Sequence, residues 1–160
     1  MHPVLRPAVG EDLDALCDLE HRALTIDRFS RRQLYHVLNR ANAVTLVAEG
    51  GECRLSGYGT FLLRRNSRQA RLYSLGVDPG ARGRGIGASL LKALVNAAVR
   101  RGCERMVLEV RIDNSAALTL YRQAGFMPEA WLTEYYADGC SAWRMSRALT
   151  TSLPDLDHQA

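Results

Sequence analysis

The amino-acid sequence predicts an α/β domain whose sheet is flanked by helices, and three stretches predict it. Leu72 to Ala88 begins as an apolar strand pattern, crosses a loop with four glycines and two arginines, and ends as a helical pattern at Ile86, Leu90, Leu91, Leu94, Val95 and Ala98. Upstream of it, three β-rich runs follow one another with turn residues between them. Downstream, Arg105 to Arg111 alternates apolar and polar residues and leads into a short helical segment.

Taken in order, Val4-Leu5-Arg6 is a short strand candidate stopped by Pro7. Glu11 to Leu24 carries Leu13, Leu16, Cys17, Leu19, Glu20 and Leu24 at helical spacing, with acids in the first turn where the helix dipole favours them. Ser30-Arg31-Arg32-Gln33 has capping-box form, and Leu34, Val37 and Leu38 give a second helix its apolar stripe. Ala43 to Glu49 and Leu55 to Leu63 read as antiparallel strands around Gly50-Gly51, and Asn66-Ser67-Arg68 turns the chain into a strand over Ala70 to Val77. The long helix after the glycine loop stops near Arg100-Arg101-Gly102, with cations in its last turn. In the strand Arg105 to Arg111, Met106, Leu108 and Val110 share one face, so Glu109 points away from Leu108. Asp113-Asn114-Ser115 offers an N-cap for a helix over Ala116 to Ala124 closed by Gly125. Phe126, the region Trp131 to Tyr136 and the run Ala142 to Leu149 supply two further strands around the turn Asp138-Gly139.

With 160 residues, 47% of them hydrophobic and 24% charged, the chain suits one domain, expected over 1–149, with a polar, frayed tail over 150–160. Its apolar runs are short of a membrane span and residues 1–6 lack signal-peptide character, so a soluble cytoplasmic protein is expected. Cys17, Cys53, Cys103 and Cys140 stand far apart and form no ligand spacing with His2, His21, His36 or His158, so reduced thiols and no metal are expected. The net charge of +4 is compatible with nucleic acid, but Arg64, Arg65, Arg68 and Arg71 are broken up along a hairpin, and no specific nucleic-acid site is expected.

Glycines at 83, 85 and 87 let backbone N–H groups turn inward where a helix leaves its first amides unpaired, so the loop suits a phosphate or pyrophosphate. A Walker loop fails here, because Gly85 is followed by Ile86-Gly87 and the required lysine and hydroxyl are missing. Gly83-x-Gly85-x-x-Ala88 has dinucleotide-fingerprint spacing, with Glu109 near the ribose-binding distance, but Asp78 to Arg82 separate the first glycine from the strand.

The remaining arrangement, Val77-Asp78-Pro79 followed by Arg82-x-x-Gly85-x-Gly87 and an amphipathic helix, resembles the acyl-CoA pyrophosphate loop of the GNAT superfamily of N-acetyltransferases. The order of elements is similar to that domain over nearly the whole chain. Leu108-Glu109-Val110-Arg111-x-Asp113-Asn114-x-Ala116-Ala117-x-x-Leu120-Tyr121-x-x-x-Gly125-Phe126 also looks like the second half of the bacterial ribosomal-protein alanine acetyltransferases. The resemblance implies a mixed, mainly antiparallel sheet flanked by helices and acetyl-CoA as co-substrate. It implies cofactor contacts at Leu75, Val77, Arg82, Gly83, Arg84, Gly85, Gly87, Ala88, Asn114 and Tyr121, with Glu109 as general base and Tyr121 as general acid.

These residue types suit the chemistry. An amine is mostly protonated at neutral pH and must lose a proton before attacking a thioester, which a carboxylate at a strand end can accept directly or through water. The leaving thiolate can be protonated by a phenol. Backbone amides near Leu75 to Val77, exposed if the strand splays from its neighbour at Gly76, would hold the pantetheine arm and the developing oxyanion. The rival readings are a Glu109 that faces solvent or pairs with Arg111, and a Tyr121 that is a core aromatic. Tyr135-Tyr136 can line the acceptor cleft or pack the last strand pair. The linker Ile26-Asp27-Arg28-Phe29-Ser30 departs from the aromatic Pro-Trp-Ser type of the resembled enzymes, and Asp27 and Arg28 favour acceptors of opposite sign. A protein or peptide α-amine leads as acceptor, ahead of a lysine side chain or a small amine, in a monomer or homodimer. A non-catalytic CoA- or nucleic-acid-binding module is the alternative.

Overall fold

The computed structural model describes residues 3–23, 28–40, 42–51 and 54–149. In chain order these contain β1 (Leu5–Pro7), α1 (Leu13–Ala23), α2 (Arg31–Leu38), β2 (Ala43–Glu49), β3 (Leu55–Leu63), β4 (Gln69–Val77), α3 (Ile86–Arg100), β5 (Arg105–Arg111), α4 (Ser115–Gln123), β6 (Met127–Leu132) and β7 (Ala142–Ala148). The strands form one sheet in the order β1-β2-β3-β4-β5-β7-β6. Every pairing is antiparallel except β4 with β5, which is parallel because α3 carries the chain back across the sheet. This is the mixed, mainly antiparallel sheet expected from the sequence.

The two faces are covered unequally. The α3 stripe Leu91, Leu94, Val95 and Ala98 is buried against Phe61, Leu72, Met106 and Leu108, together with Tyr121 and Phe126. Burying each such leucine stabilises the fold by about 1.5–3 kcal/mol, so truncating Leu94 to Ala would open a cavity at the centre of this layer. On the opposite face, Leu16, Leu19 and Leu34 from the first two helices pack on Val47 and Tyr58.

Local signals account for the helix ends. Ser30 Oγ accepts from Gln33 N at 3.2 Å while Gln33 Oε1 accepts from Ser30 N at 2.7 Å, the capping box read from the sequence. The first helix starts later than expected because Gly10–Asp12 is a 3-10 turn. There Asp12 accepts from Val9 N at 2.8 Å and from both terminal nitrogens of Arg6, which hold its carboxyl below the usual carboxylate range.

Two expectations are corrected. The strand expected over Trp131 to Tyr136 lies earlier, at Met127–Leu132, and residues 133–141 are turns and loop. Pro128 argues against a strand from sequence alone, but β6 is the sheet edge, where a missing N–H costs no ladder bond. Nor do β4 and β5 part at Gly76: their pairing covers only Gln69–Arg71 with Arg105–Val107, and Gly76 stays paired with Tyr58. Between the pairs Leu72 with Phe61 and Ser74 with Thr60, Tyr73 has no partner on β3. That extra residue is a bulge, which bends and twists the strand away from its parallel neighbour.

The expected tail over 150–160 lies outside the described residues, as do Leu24 to Asp27 of the first interhelical linker, His2, Cys53 and His158. No described helix is long and apolar enough to cross a membrane.

Candidate active site

The parting of β4 and β5 leaves a gap in the sheet, and the glycine loop sits beside it. Gly83 and Gly85 hold φ of 82° and 78°, and a Cβ at either would meet nothing within 4 Å. Backbone conformation, not space, therefore selects glycine at both. Ser89 N donates to Gly85 O at 3.0 Å as the first bond of α3, so the helix gives no partner to the N–H groups of Ile86, Gly87 and Ala88. At Gly87 a Cβ would come to 3.5 Å from Leu120 Cδ2 and 3.6 Å from Val77 Cγ2, filling space that now belongs to a cavity.

That cavity has a volume of about 520 Å3. Leu75, Val77, Arg82, Gly83, Gly85, Gly87, Ala88, Asn114 and Tyr121 all line it, so the structure gathers every cofactor residue expected from the sequence except Arg84. Arg84 lines a separate hollow beside Asp78 and Gly80. Arg82 ties the loop down: its Nε donates to Val77 O at 3.3 Å and its Nη2 to Ala23 O at 3.0 Å. Asp78 N donates to Ser56 O, so by antiparallel alternation the backbone groups of Leu75 and Val77 face away from β3, into the gap. A helix N-terminus, inward amides, an arginine and a strand edge together fit a ligand with a pyrophosphate and an amide-bearing arm.

Tyr121 comes from α4, whose N-cap Asn114 accepts from Ala117 N at 3.1 Å. The Tyr121 ring packs edge-on against Phe126 at 5.9 Å. Burial, with a smaller contribution from Tyr136, pushes its phenol above the ordinary range, so it carries its proton throughout neutral pH. Both sequence readings of this residue hold at once: it is a core aromatic and it borders the cavity.

Glu109 lies on the other face of β5, with its side chain only 6% exposed. Arg71 Nη2 is 2.5 Å from Oε1 and Arg144 Nε is 2.9 Å from Oε2. Arg144 stands directly opposite Glu109 in the β5–β7 register. Arg111, the partner considered from the sequence, turns instead to Asp113 and Asp138. Each carboxylate oxygen keeps a further lone pair, so Glu109 can still accept from an amine or a water. Glu109 borders a second hollow of about 650 Å3, not the cavity at Tyr121. Arg71 Nη2 also donates to Tyr135 Oη at 3.3 Å, and the Tyr135 and Tyr136 rings meet edge-to-face at 5.0 Å.

One element of the site escaped sequence reasoning. Glu20, read as part of a helical stripe, is 1% exposed and accepts from Tyr58 Oη and, at 2.8 Å, from Phe29 N. Phe29 stacks on the bulge residue Tyr73 at 4.8 Å. The signal was available: Glu20 is four residues after Leu16, on the apolar stripe, where a carboxylate requires buried donors. Among the described residues no three His, Cys, Asp or Glu side chains group as metal ligands.

The family profile described as acetyltransferase (GNAT) family matches residues 13–126. N-alpha-acetyltransferase RimI of Mycobacterium tuberculosis is 38% identical over 113 residues, which are 70% of this chain and 65% of that protein. The mycothiol acetyltransferase of Clavibacter michiganensis is 39% identical over 93 residues, 58% of this chain, but the chain spans only 30% of that protein's length. Among solved structures, the ribosomal-protein-S18-alanine N-acetyltransferase from Escherichia coli superposes with a TM-score of 0.83 at 24% identity, covering 94% of this chain and 96% of that one. A chain of the NatC complex bound to Gag peptide and CoA gives 0.81 at 25% identity, with 94% and 100% covered.

Proposed function

The chain belongs to the acetyltransferase (GNAT) family, and from that premise we propose that it transfers the acetyl group of acetyl-CoA to a primary amine, foremost a protein or peptide N-terminal α-amine. The observation that carries this reading is the gap between β4 and β5, with the cavity lined by the glycine loop on one side and a buried carboxylate on the other. Two substrates can then meet at the gap from opposite faces without passing one another. The name of the M. tuberculosis relative supports an α-amine over a lysine side chain, and the peptide and CoA bound in the NatC structure support a peptide over a small amine.

In this reading the free amides of Ile86, Gly87 and Ala88, with Arg82, bind the phosphates, and the backbone of Leu75 and Val77 aligns the amide-bearing arm. Asn114 donates from its amide nitrogen, since its oxygen is used by the cap. Bound acetyl-CoA supplies the thioester carbonyl as electrophile. Glu109 accepts the proton that the amine must lose, directly or through a water, as the nitrogen forms the amide bond. The C–S bond breaks, and Tyr121 donates its proton toward the departing sulfur. Because a phenol is already less acidic than a thiol and burial raises it further, this donation works as a strong hydrogen bond before it is a complete transfer.

Thiol release measured with acetyl-CoA and three acceptors tests the reading: a peptide with a free N-terminus, the same peptide N-terminally blocked but carrying lysine, and a polyamine. The free α-amine should be used best. Turnover of the polyamine alone would overturn the peptide assignment, and absence of CoA binding by calorimetry would overturn the whole.

A further inference from the structure

The hollow that Glu109 borders holds more charge than proton transfer requires. Arg40, Arg64, Arg65, Arg71, Arg105 and Arg144 line it against only two carboxylates, Glu109 and Glu129. The inner arginines are engaged: Arg71 and Arg144 hold Glu109, and Arg105 pairs with Glu129 and donates to Gln69. The outer ones are not. Arg64 and Arg65 are exposed and their side chains bond to none of the described residues, while Arg40 donates only to Asn42 at 3.1 Å. Along the chain these arginines look like a solvated hairpin tip; in the fold they form an uncompensated cationic rim on one side of the hollow.

Resting on the acetyl-transfer reading above, we propose that this hollow binds the acceptor chain downstream of its reactive amine and that it selects acidic residues there. The polarity matches such a chain: the protonated amine approaches the buried carboxylate of Glu109, and side-chain carboxylates meet the guanidinium forks of the rim. The register sets the distance. Gln69 pairs with Arg105 where the β3–β4 hairpin ends, and Glu109 lies four residues along β5, about 13 Å away at about 3.3 Å per residue. An extended acceptor with its amine at Glu109 therefore reaches the rim at about its third to fifth residue. Nucleic acid fits less well, because the lining includes two carboxylates and no aromatic ring on which a base could stack.

The test uses three peptides identical except at the third to fifth positions, which are Asp/Glu, Ser or Lys, with kcat/KM read by thiol release. The wild-type order should be acidic, neutral, basic. In Arg64→Ser/Arg65→Ser the acidic-to-neutral ratio should fall roughly 2- to 30-fold, the worth of two exposed ion pairs, and in Arg64→Glu/Arg65→Glu the preference should invert. Equal use of the three peptides by the wild type, or an unchanged ratio in both variants, overturns the proposal. Should no peptide release thiol, peptide acetylation fails and the hollow is read by anisotropy of the labelled acidic and basic peptides. Salt-sensitive binding of the acidic one, lost in the double glutamate variant, still upholds the proposal, and equal binding overturns it. A single-stranded oligonucleotide that binds more tightly than the acidic peptide at physiological salt overturns it in favour of nucleic acid.

Discussion

Removing one oxygen from Tyr58 probes the buried network behind the acceptor side of the site. In the folded protein Glu20 Oε1 accepts from the Tyr58 hydroxyl and Oε2 from Phe29 N, with no water-facing surface to replace either donor. Tyr58→Phe keeps the ring and its packing but leaves one oxygen of a buried carboxylate unpaired. A hydrogen bond to a charged group contributes about 1.5–3 kcal/mol, and for a chain of this size each kcal/mol moves Tm by about 2–4 °C, so Tm should fall by about 3–12 °C. Urea unfolding followed by circular dichroism measures the same loss directly. Glu20→Gln still accepts from Phe29 N but takes the acceptor from Tyr58, so the two changes should couple by about 1–2 kcal/mol in a double-mutant cycle. A Tyr58→Phe protein within about 0.5 kcal/mol of the wild type, or additivity in the cycle, would refute the network. The acceptor KM should rise more than the CoA Kd, because Glu20 also fixes Phe29 against the bulge at Tyr73.

Tyr121→Phe should keep CoA affinity and lower kcat by about 10²–10⁴ in steady-state assays, and the wild-type profile should show no loss of this donor up to pH 10 because its phenol is shifted upward; an unchanged kcat refutes the assignment. Glu109→Gln should lower kcat/KM for the acceptor at neutral pH and recover in part at high pH, where more of the amine is free base; a wild-type rate at every pH would leave Glu109 as a partner of Arg71 and Arg144 alone. Gly85→Asp should abolish CoA binding in calorimetry, since it adds a left-handed side chain and a negative charge at the helix N-terminus, whereas retained affinity in a folded variant would move the cofactor elsewhere. Folding stability should fall above pH 10: Tyr58 and Tyr121 both titrate above 10 when folded, so the unfolded chain loses their protons first and each removes about 1.4 kcal/mol per pH unit, with their contribution complete below pH 10. Urea midpoints between pH 8 and 11 should show this slope, shallower by one tyrosine's share in Tyr121→Phe.

What could be read along the chain is what a short stretch decides for itself. The strands Ala43–Glu49 and Leu55–Leu63 lie where their β-rich composition and the Gly50-Gly51 turn place them, Arg105–Arg111 where its alternation does, and the glycine loop and the Asn114 cap where local backbone chemistry requires them. What escaped was decided by residues distant in sequence. Glu109 has Arg111 two residues along on its own strand face, yet its partners are Arg144, brought opposite by the β7 register, and Arg71 on the parallel strand. The same long-range pairing turns scattered arginines into one lining and places a carboxylate of α1 beneath a phenol of β3.

The gap itself shows why motif and site are separate questions. Its opening needs β4 to follow β3 as far as Val77 while leaving β5 after Arg71, and a single unpaired residue, Tyr73, is enough to bend it that way. Nothing in the identity of Tyr73 announces a bulge; only the mismatch between two registers does. The residues that bind and react are legible because their chemistry restricts the choice of amino acid. The bend that lets them meet is not, because many residues can occupy it, and what holds it is the surrounding network of Phe29, Glu20 and Tyr58.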